Sequence, residues 1–162
     1  MKKVLAALVA VSVTGSLWAQ MNPRGTASLE GAKVSIEYGK PSAKGRDVFA
    51  LIEPGSYWRM GADDSTKLTT DVPLLIGGSR VEKGEYILLG QFASRDEFQL
   101  VVAKGLSGSE PKEVAARVKG EISKGHDHVE AMTVAIEGKP ADAAIVLSWA
   151  SSRIRMPLKV TQ

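Results

Sequence analysis

Cysteine is absent from this sequence. That excludes disulfide staples, thiolate metal sites and cysteine nucleophiles, and leaves stability to the hydrophobic core. A chain of 162 residues can supply one, since a domain near that size buries roughly 68% of its unfolded surface. Glycine (16) and proline (7) are too few for a fibrous or low-complexity chain. No internal repeat is visible, which excludes a solenoid or propeller. There is no basic run, and 21 Lys/Arg stand against 18 Asp/Glu; nothing resembles a nucleic-acid footprint. Aromatic residues make up only 6% of the chain.

The single uncharged apolar run, residues 4–13, follows Lys2 and Lys3. It falls short of the about 20 residues that a membrane span needs. Small residues follow it, Gly15, Ser16 and Ala19. A positive start, a short apolar stretch and a small-residue exit are the parts of a secretory signal peptide. The expectation is a signal peptide over 1–19 and a mature β-rich domain over 20–162, periplasmic or secreted and with no membrane span. Loss of Lys2 and Lys3 lowers the formal net charge from +3 to about +1.

Beyond residue 30 the apolar residues alternate with period two, the signature of half-buried strands. Val34, Ile36 and Tyr38 share one face; so do Phe98, Leu100 and Val102; so do Met132, Val134 and Ile136; so do Ile145, Leu147 and Trp149. The last set is Ile154, Met156, Leu158 and Val160, with Arg153, Arg155 and Lys159 opposite. Pro157 lacks an amide donor and calls for a position whose N–H side needs no partner. Residues 86–92 are apolar on both faces, as in a covered central strand. Gly77-Gly78 reads as a tight hairpin turn, and further turns fall at 82–84 and 138–140. These signals predict an all-β protein, an antiparallel β-sandwich or partly open barrel. One short helix is expected near 111–119, with Pro111 in its first turn, Gly120 past its end and an apolar stripe of Val114, Ala115 and Val118. The stretch 39–64 is irregular, rich in glycine, proline and charge, and contains Phe49, Tyr57 and Trp58. Long irregular segments in compact domains often carry function.

Tyr38-Gly39-Lys40-Pro41, Lys44-Gly45-Arg46, Phe49, Pro54-Gly55 and Trp58-Arg59-Met60-Gly61-Ala62-Asp63 succeed one another in a spacing that resembles the DUF2911 family of exported bacterial proteins. The likeness continues through Gly77-Gly78, Gly84-Glu85-Tyr86, Leu147-Ser148-Trp149 and Pro157-Leu158 and spans about 25–160. Met60 and Asp63 stand where the family more often has Thr and Asn. The resemblance implies an exported, mostly β domain and no particular reaction.

Among chemical candidates, Trp58-Arg59 with Asp63 and Asp64 combines a flat ring, a fork-shaped cation and carboxylates. Arg pairs bidentately with carboxylate or phosphate, and a Trp face stacks on a sugar or a cation. The ligand-binding set expected from this segment is Tyr38, Arg46, Trp58, Arg59 and Asp63. The competing account is a structural clamp, with Arg59 tied to an aspartate and Trp58 in the core. His126 and His128 lie two apart and, on a strand, would share a face. Two imidazoles without a third protein ligand specify no metal site, and a solvated loop fits them as well. Gly-x-Ser-x-Gly and P-loop motifs are absent, and Asp63-Asp64 is a poor glycosidase pair because adjacent residues diverge. No catalytic residue, metal or cofactor is therefore assigned. The expected function is a non-enzymatic exported domain that binds a small molecule, glycan or envelope partner; the alternative is a hydrolase or metal-dependent enzyme using His126 and His128 or the Arg59–Asp63 block.

Overall fold

The computed structural model describes residues 21–162; the expected signal peptide over 1–19 lies outside the described residues. Ten strands follow in chain order: β1 (Arg24–Ser28), β2 (Val34–Gly39), β3 (Tyr57–Trp58), β4 (Thr66–Thr70), β5 (Leu74–Ile76), β6 (Ser79–Val81), β7 (Gly84–Ser94), β8 (Glu97–Ser107), β9 (Glu110–Lys139) and β10 (Asp142–Val160). They form one antiparallel sheet in the order β1-β2-β4-β7-β8-β9-β10-β5-β6, with β3 added beside β7, and the path does not close into a barrel.

The long strand β9 turns the sheet back on itself. Its residues 110–120 pair with β8, whereas residues 121–139 pair with β10. The two halves of the sheet enclose a common core, a sandwich-like arrangement in which Ile36, Leu68, Leu88, Leu100, Met132, Ile145, Leu147 and Ile154 are all fully buried. The period-two reading places these faces correctly: Arg153, Arg155, Pro157 and Lys159 are exposed while Ile154, Met156 and Leu158 are buried. Pro157 falls between the end of the β9 register at Arg155 and the start of the β5 register at Leu158, so its missing donor costs no ladder bond. Gly77 and Gly78 both have positive φ and close the two-residue hairpin between β5 and β6, as a type I′ turn requires.

The helix expected near 111–119 is not formed; that stretch belongs to β9. The cause is a bulge. Val102 pairs with Ala116 and Ala103 with Val114, so Ala115 is an extra residue on one strand. A bulge shifts the phase of alternation by one residue, which makes Val114, Ala115 and Val118 resemble the spacing of a helical stripe. The helical content described is a single 3-10 turn, Phe49–Leu51.

Phe98 organises the bend. A β-carbon on Gly90 would lie 2.6 Å from its ring, and one on Gly120 would lie 2.7 Å from the ring and 2.7 Å from Ile154. The two glycines leave room for one phenylalanine across three neighbouring strands, which lets the sheet curve tightly there.

Candidate functional site

Between β2 and β4 the chain leaves the sheet for 26 residues, 40–65, and only β3 and the 3-10 turn interrupt it. Three ties hold this excursion. The first is a bridge to β9: Ala43 N–H donates to the Glu130 carbonyl (2.8 Å) and Met132 N–H to the Pro41 carbonyl (2.9 Å). The second lies on β7, where Gly55 N–H donates to the Phe92 carbonyl and Gln91 Nε2 to the Gly55 carbonyl, both at 2.8 Å. The third is a backbone crossing. A β-carbon at Gly39 would overlap the Ala62 carbonyl oxygen, and one at Gly61 would lie 3.0 Å from the Gly39 oxygen. Glycine at both positions allows the two segments to touch main chain to main chain.

The five expected ligand-binding residues divide among these ties. Tyr38 is buried, its ring laid over Gly25 of β1. Asp63, with φ of 62°, accepts from the Asn22 amide at 2.8 Å. The Arg59 guanidinium donates to the Asp63 main-chain oxygen at 2.8 Å rather than to its carboxylate. Tyr38, Arg59 and Asp63 thus belong to the Gly39–Ala62 crossing. Arg46 instead turns its fork on its own hook, Nε donating to the Ala43 carbonyl (3.0 Å) and Nη2 to the Ser42 carbonyl (2.9 Å). Trp58 points elsewhere, into an aromatic assembly.

That assembly was only partly visible in sequence. Trp58 stacks on Trp149 with ring centroids 6.0 Å apart and planes 10° from parallel. Phe49, from the 3-10 turn, meets both rings edge-on at 6.2 and 6.0 Å, and packs on Phe92 at 5.4 Å. Trp149 is 6% exposed, and its indole N–H has no acceptor among the described residues; an unpaired buried donor costs about 1–3 kcal/mol.

Phe49 also separates two adjoining hollows at the surface. One, of about 190 Å³, is bordered by Asp47, Phe49, Phe92, Arg95, Lys124 and Ser152. The other, of about 160 Å³, shares Phe49, Ala50, Phe92 and Arg95 and adds Ile52 and Pro54. Arg95 sits at the tip of the β7–β8 hairpin, Lys124 on β9 and Ser152 on β10, so four separate segments converge here. Sequence reading missed Phe92, Arg95, Lys124 and Ser152, which are far apart in the chain; Phe49, in the irregular stretch, was the available signal. A third hollow, about 240 Å³ beside Gln91, Glu97, Gln99 and Lys119, has mixed polar walls, and its one aromatic neighbour, Phe98, is committed to Gly90 and Gly120.

His126-Asp127-His128 leaves the ladder: Ala150 pairs with Val129 and Ser152 with Lys124, so 125–128 bulge out of β9. The two imidazoles take different partners, His126 the Ser123 hydroxyl (2.7 Å) and His128 the Glu130 carboxylate (3.0 Å). Among the described residues, no three His, Asp or Glu side chains gather as a metal site would need. The Glu130 carboxyl is held below its ordinary value of 4.5, first by the His128 hydrogen bond and then by the Lys44 amide. A depressed carboxyl pKa supports the tie above the ordinary value and releases it as pH falls through the lowered one. The Lys44 amide resonance is therefore expected to titrate in NMR spectra with a midpoint below 4.5, and Glu130→Gln should abolish that step. A Lys44 resonance unmoved by acid in the unmodified protein would contradict the tie.

No curated protein and no solved structure matches this chain. The profile of the family described as "Protein of unknown function (DUF2911)" matches residues 22–158. That match takes in β1 to β9 and β10 as far as Leu158, together with the Gly39–Ala62 crossing and the aromatic assembly, and the chain belongs to the DUF2911 family.

Proposed function

We propose that the protein is an exported, non-enzymatic domain that binds a small ligand in the paired hollows flanking Phe49. The observation that carries this reading is their construction: an apolar floor of Phe49 and Phe92 with charged and hydroxyl groups from three other segments on the rim. Small-ligand sites are commonly concave and apolar with a few converging polar groups. Trp149, which packs on Phe49, has an indole N–H that is buried with no acceptor among the described residues, an unsatisfied group that calls for an explanation. Export is supported by the residue pattern over 1–19. The Arg46 and Arg59 forks are engaged with main-chain oxygens inside the irregular segment.

The test is thermal unfolding of protein from the cell envelope against a panel of small organic acids, aromatics and sugars. A ligand at a hundred times its Kd stabilises by about 2.7 kcal/mol, a rise of roughly 5–10 °C in Tm for this size. Ala50 is exposed and lines the second hollow; Ala50→Trp is expected to fill the space, leave the unliganded Tm in place and remove the ligand shift. A panel with no stabilising compound, or a shift that persists in Ala50→Trp, would remove the hollows as the site.

A further inference from the structure

We infer that the outer face of the sheet carries a second, separate site, where Gln91 and Gln99 hold an uncharged sugar ring by hydrogen bonds. Register places the residues. Tyr57 pairs with Gln91, Gln91 with Gln99 and Gln99 with Lys119. Strands β3, β7, β8 and β9 therefore set one side chain each in a single row, neighbours about 4.5–5.5 Å apart at their β-carbons. Phe92, Phe98 and Gly120, which alternate with them, are buried, so the row faces outward. Glu97, two residues before Gln99, shares this face. Gln91, Gln99, Lys119, Glu97 and Ala93 border the hollow of about 240 Å³, and none of them lines the hollows beside Phe49.

Hydrogen bonds fix what the two amides offer. Gln91 Nε2 donates to the Gly55 carbonyl at 2.8 Å, which leaves its Oε1 as an acceptor. Gln99 Oε1 accepts from Arg117 Nη1 at 3.2 Å, which leaves its Nε2 as a donor. The partners decide both orientations, since a carbonyl cannot donate and a guanidinium cannot accept. Arg117 is itself braced, Nη2 donating to the Tyr57 hydroxyl at 3.3 Å. Gly55 and Arg117 are not walls of the hollow, so each amide spends one end away from it and keeps the other for it. Side chains held in advance lose less freedom on binding. The remaining walls are one cation, Lys119, and one carboxylate, Glu97, neither in an ion pair among the described residues. Charge sums to zero, with donors and acceptors on both sides. A ligand that fits carries no net charge and offers both roles, as every hydroxyl of a sugar does. The Phe98 ring lies in the core, so no aromatic floor favours a flat apolar molecule.

The experiment is NMR titration of the full chain with the methyl glycosides of glucose, galactose and mannose, and with glucuronate and glucosamine as charged counterparts. The side-chain amide signals of Gln91 and Gln99 are expected to shift saturably with at least one neutral glycoside. Gln99→Glu keeps an oxygen for Arg117 and replaces the free donor by an acceptor. It should leave Tm in place and weaken that glycoside at least about tenfold, the size of one lost hydrogen bond with its partner left unpaired. Ala50→Trp, which fills the hollow beside Phe49, should leave these shifts unchanged. No shift with any neutral glycoside, or equal affinity in Gln99→Glu, would overturn the inference. Tighter binding of glucuronate or glucosamine than of every neutral glycoside would overturn the uncharged class. Shifts abolished by Ala50→Trp would move the sugar to the hollows beside Phe49, overturning this site and leaving the proposed function standing.

Discussion

Gly39→Ala is expected to destabilise the protein by about 3 kcal/mol or more, at the upper end of what overpacking a well-packed site costs. For a domain of this size that is a fall in Tm on the order of 10 °C. The obstacle is main chain: the new β-carbon would overlap the Ala62 carbonyl oxygen and lie 2.8 Å from its carbonyl carbon, and neither atom can rotate away. Relief requires moving β2 or the turn after β3. The turn is pinned by the buried Thr66 hydroxyl, which donates to the Met60 carbonyl at 2.9 Å. Two controls separate this cause from general intolerance of side chains. Gly45 has φ of 68° and open space around it, so Gly45→Ala should cost only the left-handed strain of about 1–2 kcal/mol. At Gly25 the nearest atoms belong to the tip of the Tyr38 side chain, which can tilt. Gly25→Ala is therefore also expected to cost less than Gly39→Ala. Denaturant midpoints for the three variants check the order. If Gly39→Ala unfolds at the same midpoint as Gly45→Ala, the crossing is looser than the geometry states.

This crossing gives the Tyr38-Gly39 and Gly61-Ala62 blocks, which read as a recognisable signature, a structural role. Their glycines serve a backbone contact, and the Arg59 fork beside them is spent on a main-chain oxygen. Strand faces were legible in the sequence because side chains alternate strictly wherever pairing is regular: 34–38, 98–102, 132–136 and 154–158 all bury the predicted residues. Legibility ended where the ladder breaks. The bulge at Ala115 imitated a helix, and the His126–His128 excursion imitated two imidazoles on one strand face. The hollows were hidden for another reason. Asp47 and Phe49 come from the irregular segment, but Phe92, Arg95, Lys124 and Ser152 meet them only because β9 carries the sheet around the core. No local pattern records that closure. In sequence, Arg95 is indistinguishable from any charged residue at a hairpin tip.

Phe98→Ala is expected to have a comparable or larger effect, about 3–5 kcal/mol, as for other buried phenylalanines reduced to alanine. Phe98 is 1% exposed and packs edge-on to Phe92 at 5.0 Å. Its loss would leave an empty volume between Gly90 and Gly120, two positions with no side chain to collapse into it. That arrangement makes a sharper test than the single variant. In the unmodified protein, a β-carbon at Gly120 would press on Phe98 at 2.7 Å and on Ile154 at 2.7 Å, so Gly120→Ala alone should be strongly destabilising. With Phe98 already reduced to alanine, one of those two obstacles is gone. The cost of Gly120→Ala should then fall by at least about 1 kcal/mol, within the range found for directly contacting pairs. Ile154 still opposes the new carbon, so the cost should not vanish. Strict additivity of the two substitutions in a double-mutant cycle would show that Phe98 and Gly120 do not share the space. The bend of β9 would then need another cause. Coupling of the expected sign would locate the curvature of the sheet in one ring seated over two glycines. Phe92 joins that ring to Phe49, so loosening Phe98 should also weaken the binding proposed at the hollows without touching any residue on their charged rim.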